Sequence, residues 1–176
     1  MTCRYCWRVH VRRTTLDTAT MELCMTQHGR AAALWEAHTG TERLLWKHVS
    51  GNTSIVGYRI DFRATSARNE LTWRIYTPSS SYSLGPYYIT TGPRAWHHIV
   101  CVYESGPGLK IYVDGTERAN LTAASGNIRA TAGGPLQIAY ESGSDFIGML
   151  DEVRIYPQAL TSFQVSQRYL ETRDGL

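Results

Sequence analysis

The sequence predicts an all-β sandwich of antiparallel strands with a short helix at its C-terminal end. Three observations carry that expectation. Apolar residues recur with period two in short runs along most of the chain, the pattern of strands with one buried face. Glycine and polar turn residues separate the runs, and all six prolines fall between them. No spacing suits a strand–helix–strand crossover, so neighbouring strands are expected to run antiparallel. Roughly ten to twelve short strands result. The chain shows no internal repeat and no low-complexity tract.

Taken in order, residues 3–11 place Cys3, Tyr5, Trp7, Val9 and Val11 between Arg4, Arg8 and His10, with Cys6 as the exception. This reads as a strand with one wet face, or as a basic arm that pairs with a neighbouring subunit. Thr20 to Met25 alternates again. Arg30 to Ala37 has helix-forming composition but is too short to commit to a helix. Leu44 to Lys47 is a strand, with Gly51 at the turn beyond it. Tyr58, Ile60 and Phe62 alternate with Arg59, Asp61 and Arg63; Leu71, Trp73 and Ile75 alternate with Thr72, Arg74 and Tyr76. These two runs are expected to pair.

From Thr77 to Pro93 the chain is rich in Ser, Gly and Pro, which predicts a long loop with a short strand at Tyr87 to Ile89. Trp96 to Tyr103 is apolar at both parities, so it should be a central strand covered on both faces. Ser105 to Gly108 is a turn, and Leu109, Ile111 and Val113 form an inner face. Asp114-Gly115 suits a tight hairpin, since both residues tolerate positive φ. Leu136, Ile138 and Tyr140 follow Gly133-Gly134-Pro135. In the last strand Val153 and Ile155 face one way, Glu152 and Arg154 the other, and Pro157 ends it. Thr161 and Gln164 spell a capping box for a helix of two or three turns that turns Val165 and Tyr169 inward.

The runs Trp96-His97-His98-Ile99-Val100, Ile111-Tyr112-Val113-Asp114-Gly115 and Asp151-Glu152-Val153-Arg154-Ile155-Tyr156, with Ala159-Leu160 after the last, resemble a known family. It is the laminin-G-like form of the concanavalin A-like lectin/glucanase superfamily, and the specific match spans about residues 96–170. The resemblance implies an antiparallel jelly-roll β-sandwich with a short C-terminal helix. It treats residues 1–176 as a single domain whose two ends lie close together.

The bulk properties bound the function. A chain of 176 residues with 43% hydrophobic content is long enough to bury a core. No apolar run approaches the ~20 residues of a membrane-spanning helix. Arginines at positions 4, 8, 12 and 13 interrupt what would be a signal peptide's apolar core. The chain is then a cytoplasmic product, a virion part or a piece of a longer protein. A net charge of +3 is too mild for a dedicated nucleic-acid binder. Lys47 and Lys110 are the only lysines. Arginine forks suit planar carboxylates and interfaces, with genome bias the simpler account. Four cysteines make no disulfide framework. Cys101 reads as a buried small hydrophobe. Cys3, Cys6, His10 and Cys24 lack the second close pair of a zinc site.

Catalysis is not expected. Glycoside hydrolases on this fold carry a Glu-x-Asp-x-x-Glu signature that is missing here. Asp151 and Glu152 are adjacent, so a regular strand would point them to opposite faces. Glu141 and Asp145 lie in turn composition. No nucleophile elbow, zincin motif or phosphate loop is present. His97 and His98 face opposite ways and read as packed imidazoles. For a cofactor, the resemblance implies Ca²⁺ held by Asp151, with Asp17 and Asp145 as loop acids that would join it. The alternative is that Asp151 caps a turn or pairs with an arginine.

Ligand binding is assigned to Tyr82, Tyr87 and Tyr88, beside Ser79 to Ser81, and more weakly to Trp35. Aromatic platforms with polar neighbours suit a sugar face. The same tyrosines suit a protein interface, or simply cover the sandwich end. The sequons at Asn52 and Asn120 are attributed to chance. The expected function is a non-catalytic recognition or attachment module that binds carbohydrate or a protein surface through its end loops, outside the cell or on a virion. The alternatives are a decoration subunit of a virion-like assembly or homo-oligomer, and a glycoside hydrolase.

Overall fold

The computed structural model describes residues 18–26, 41–49, 52–64, 69–89, 96–131, 134–139, 146 and 149–173. The expectations for residues 3–11, for Arg30 to Ala37 including Trp35, and for Asp17, Tyr140, Glu141 and Asp145 lie outside that set. The described residues form ten strands and one helix. The strands are β1 (Thr18–Thr26), β2 (Thr41–Val49), β3 (Asn52–Ala64), β4 (Asn69–Tyr76) and β5 (Ser81–Ile89). They continue as β6 (Trp96–Glu104), β7 (Gly108–Val113), β8 (Thr116–Leu121), β9 (Leu136–Ile138) and β10 (Met149–Tyr156). The helix α1 spans Ser162–Arg173.

Two five-stranded sheets result, the first in order β10-β1-β6-β7-β8 and the second in order β5-β4-β3-β2-β9. Every pairing is antiparallel. The predicted pair of β3 and β4 forms in the register that puts Tyr58, Ile60 and Phe62 opposite Ile75, Trp73 and Leu71. These six face Ile99, Cys101, Tyr103, Leu109, Ile111 and Val113 of the first sheet in one apolar core. Trp73 crosses it, its Nε1–H donating to the carbonyl of Val102 at 3.3 Å. Each such fully buried side chain contributes about 1.5–3 kcal/mol relative to exposure.

β6 lies in the middle of its sheet and is buried on both faces, as its composition demands. Ile99, Cys101 and Tyr103 enter the sandwich core. Val100 and Val102 point outward and are roofed by Leu160 and Val165, with Tyr112 completing this second cluster. The capping box places the roof. Thr161 Oγ1 accepts from the Gln164 N–H at 3.3 Å, and Gln164 Oε1 accepts from the Thr161 N–H at 2.9 Å. The helix has 12 residues, a little over three turns. The hairpin between β7 and β8 turns on Asp114 (φ 53°) and Gly115 (φ 74°), as their left-handed tolerance requires.

Two expectations fail, both at β-bulges. The stretch expected to be a long loop after Thr77 contains β5, a nine-residue strand at the edge of the second sheet. Pro86 is therefore inside a strand and not between strands. Gly85 and Pro86 together oppose Thr72, which shifts the register. A proline is tolerated there because an edge strand and a bulge both leave an N–H without a ladder partner. The bulge also breaks the alternation. Tyr82 and Leu84 before it, and Tyr87 and Ile89 after it, all face inward. In β10 the register shifts opposite Glu22 to Cys24, and Glu152 takes φ 51°. Asp151 and Glu152 are consequently both exposed, where a regular strand would have split them between faces.

Candidate functional site

The outer face of the first sheet is closed by α1. The outer face of the second sheet gathers charged and aromatic side chains, and its composition follows from strand parity. With Tyr58, Ile60 and Phe62 turned inward, Arg59 and Asp61 must point outward. A bulge at Leu44 turns both Leu44 and Leu45 into the core, so Arg43 and Trp46 share the outer face with Arg59 and Asp61. Arg43 pairs across with Asp61, Trp46 with Arg59, and Arg59 with Arg74 of β4.

Asp61 sits at the centre of this face and is 4% exposed. Three guanidinium groups converge on its carboxylate: Arg59 Nε at 3.0 Å, Arg43 Nη1 at 3.4 Å and Arg74 Nε at 3.6 Å. A buried carboxylate requires such partners, because an unpaired charge there would cost several kcal/mol. Aromatic rings hold the guanidinium planes. Arg43 lies over Trp46 at 5.0 Å, and Arg59 over Tyr76 at 5.9 Å. Trp46 in turn stacks on His48, ring centroids 4.2 Å apart. Farther along, Arg63 pairs with Glu70 at 3.7 Å.

Exposure rises across the face. Arg43 and Arg59 side chains are 17% exposed on the β2–β3 side, and Arg74 is 37% exposed on β4. Tyr88 of β5, opposite Glu70, is 38% exposed. The face is thus a polar hub that opens toward the β5 edge.

The tyrosines assigned to a loop platform do not form one. Tyr82 and Tyr87 pack against the sandwich core, and Tyr88 alone of the three projects onto the outer face. The phenol of Tyr82 is held below its ordinary pKa, chiefly by hydrogen bonding with Ser125. The bulge at Gly85-Pro86 separates the three, and alternation counted straight through that dipeptide does not show it.

Asp151 is an exposed strand residue whose Oδ1 accepts from the Glu152 N–H at 2.8 Å. This bond braces the left-handed residue of the β10 bulge, the capping role set against a calcium role. Among the described residues no group of three or more His, Cys, Asp or Glu side chains gathers as a metal site would require. Asp151 by itself does not fit a Ca²⁺ ion, which takes six to eight oxygens.

The histidines are packed. His97 Nδ1 donates to Asp114 Oδ2 at 2.9 Å, and the His98 backbone N–H donates to Asp114 Oδ1 at 3.1 Å. The His98 ring stacks on Tyr169 with centroids 5.9 Å apart. Cys101 is fully buried, and burial pushes its thiol pKa up.

The cluster of Arg43, Arg59, Asp61 and Arg74 was not singled out from the sequence. A signal existed: Arg59-x-Asp61-x-Arg63 faces a strand carrying Arg74. Alternation put them on the polar side. Only the register and the Leu44 bulge bring the three arginines to one carboxylate.

The family model described as concanavalin A-like lectin/glucanases superfamily matches residues 32–166, reaching well before the motifs at 96. No curated protein matches the chain. Among solved structures, the binding domain of Paraclostridial Mosquitocidal Protein 1 superposes with a TM-score of 0.63 at 12% identity. That match covers 88% of this chain and 37% of the other. The botulinum neurotoxin serotype G binding domain gives 0.60 at 12% identity, over 90% and 37% of the two chains. Domain 4 of AbnA, an extracellular arabinanase from Geobacillus stearothermophilus solved with arabinotriose, gives 0.58 at 18% identity, over 88% and 67%. The chain thus spans 37% of the length of the first two structures. No helix among the described residues is long and apolar enough to cross a membrane. From the extent of the family match and the two-sheet architecture together, the chain belongs to the concanavalin A-like lectin/glucanase superfamily.

Proposed function

We propose that this domain is a non-catalytic recognition module that binds carbohydrate on the outer face of its second sheet, outside the cell. The observation that carries the reading is the placement of Tyr76 and Arg74, two residues apart on β4, on the outer face beside a buried charged hub, with the exposed Tyr88 farther along that face opposite Glu70. An aromatic ring suits the apolar C–H face of a sugar, and a guanidinium donates to its oxygens. The likeness to an arabinanase domain solved with arabinotriose, and to toxin binding domains, supports a binding role. The ionic pairing of the acids supports a non-catalytic one. Asp61 and Glu70, which the register places on this face, are both committed to arginines. A glycosidase needs one carboxyl poised as acid and a second as nucleophile or base.

Assembly by strand addition draws less support. Each described sheet edge carries a protective device. β5 has the Gly85-Pro86 bulge, β10 the bulge at charged Glu152, β8 carries Glu117 and Arg118, and β9 has only three residues.

The test is affinity electrophoresis of the purified chain through gels containing single polysaccharides, with and without EDTA. Retardation by at least one polysaccharide, weakened in Tyr88→Ala, is the expected result. No retardation in any gel would overturn the reading. Release of reducing ends from a retarding polysaccharide would overturn its non-catalytic part. Retardation that vanishes in EDTA and in Asp151→Asn would restore calcium to the site.

A further inference from the structure

Between the start of α1 and the outer surface of β6 and β7 lies a cavity of about 280 Å³. Its floor is apolar. Val102, Tyr112 and Leu160 line it, and all three belong to the cluster beneath the helix. Thr161 and Ser162 form its wall on the helix side, and the more exposed Glu104 and Lys110 complete the lining. An apolar cavity of about 150 Å³ already holds a benzene molecule, so this one has room for an aromatic side chain.

Phe163 follows directly on that wall and turns away from it. It is 71% exposed, the most exposed large hydrophobic side chain among the described residues. Helix geometry dictates its direction. Val165 faces the sheet and is fully buried, and Tyr169, four residues on, meets Gly115 on the same side. At about 3.6 residues per turn, a position two residues from Val165 falls on the opposite side of the helix. An exposed apolar residue by itself needs no explanation, but this one has unusual surroundings. From Pro157 to Gln167 no side chain is charged, in a chain where 19% of residues are. A solvated helix face normally carries charge, whereas the centre of a protein contact is depleted of it.

An aromatic knob beside an apolar socket suits a twofold contact, in which both copies offer the same patch and each residue of a touching pair is met twice. We infer that two copies of this chain associate through the N-terminal half of α1, with Phe163 of each copy entering the cavity between α1 and β6–β7 of the other. A different protein would have to bring its own knob, and a second copy has one in place next to its socket. The contact uses side chains on a helix and no sheet edge, in keeping with the protective devices on the described edges. It leaves the outer face of the second sheet open in both copies and does not rest on the carbohydrate reading.

Sedimentation velocity of the whole chain in reducing buffer tests this, over about 5 to 500 µM because so small a contact belongs to the weak class. The parent chain should pass from monomer to dimer within that range. Phe163→Ser removes the knob, and Ser162→Arg places a long charged side chain at the mouth of the socket. Both residues are exposed, so both variants should fold, which circular dichroism checks. Each should weaken the dimer about a hundredfold, since two rings per dimer lose their burial. Leu170→Ser is the control. Leu170 is 43% exposed and lies two turns farther along the same side of α1, and its variant should dimerise as the parent does. A mixture of Phe163→Ser and Ser162→Arg retains one intact knob and one intact socket, so it should associate more tightly than either variant alone. A parent chain that stays monomeric throughout would overturn the inference. So would a dimer that survives Phe163→Ser or Ser162→Arg, one that Leu170→Ser weakens as much, or a mixture that associates no better than its parts.

Discussion

Asp114 ties the β7–β8 turn to β6 through one carboxylate. It sits at a left-handed turn position, accepts from His97 Nδ1, and accepts from the His98 backbone N–H. Burial pushes its pKa up, but these hydrogen bonds and the nearby histidine charges outweigh burial and hold it below the ordinary carboxylate value. A depressed folded-state pKa contributes stability above the unfolded value near ~3.9, and that contribution is lost as pH falls through the folded value. Asp114→Asn keeps a residue that tolerates the turn but removes the titration. Its urea-unfolding free energy should fall less steeply than the parent's between about pH 5 and 2. Parallel slopes in the two proteins would refute the assignment. Cys101 tests the core at the same scale. It is fully buried between apolar neighbours, so Cys101→Ser places a hydroxyl where a thiol was nearly apolar. Denaturation should show a loss of about 1–3 kcal/mol.

At the scale of elements, α1 is attached by its cap at one end and by the β7–β8 hairpin at its middle. Ser166 Oγ donates to the Gly115 carbonyl at 3.1 Å, and a Cβ on Gly115 would lie 2.9 Å from Tyr169 Cδ1. Glycine is required there twice, by φ 74° and by the ring against it. Gly115→Ala should cost about 1–2 kcal/mol for the backbone alone. It should also shift Tyr169 on His98, which near-ultraviolet circular dichroism would register. Thr161→Ala removes one half of the capping box and should cost about 1 kcal/mol, with faster amide exchange in the first helical turn. The edge strand β5 shows the opposite case, an element whose identity comes from pairing. Its own residues include Gly85 and Pro86, and its place beside β4 is what makes it a strand.

At the scale of the whole molecule, the first sheet separates two apolar clusters of unequal size. The larger lies between the sheets, and the smaller, around Val100, Val102, Tyr112, Leu160 and Val165, lies beneath the helix. Val165→Ala should cost about 2 kcal/mol, from the lost apolar area and the cavity left behind. The loss should be local first. Hydrogen exchange in α1 should speed up while β3 and β4 keep their protection, because the larger cluster is untouched. Equal loss of protection in both would mean that the helix and the sandwich unfold as one unit. The helix also decides which face of the molecule is open. With the first sheet roofed, the outer face of the second carries the candidate site.

Local chemistry by itself determined an all-β chain, the β3–β4 pair, the Asp114-Gly115 hairpin and the capped helix. Each of these depends on residues close in the chain: alternation at Tyr58 to Phe62, positive-φ residues between two apolar runs, and Thr161 three positions before Gln164. The strand doubly buried at Trp96 to Tyr103 was also legible, because from Ile99 to Tyr103 nothing polar interrupts either parity. Tertiary structure alone decided where the tyrosines point and what Arg43, Arg59 and Arg74 do. A bulge shifts every later side chain to the other face, and the bulges at Leu44, at Gly85-Pro86 and at Glu152 do not announce themselves in the order of residues. The charge hub likewise requires three strands in register, since residues 43, 59, 61 and 74 meet at one carboxylate only after β2, β3 and β4 have paired.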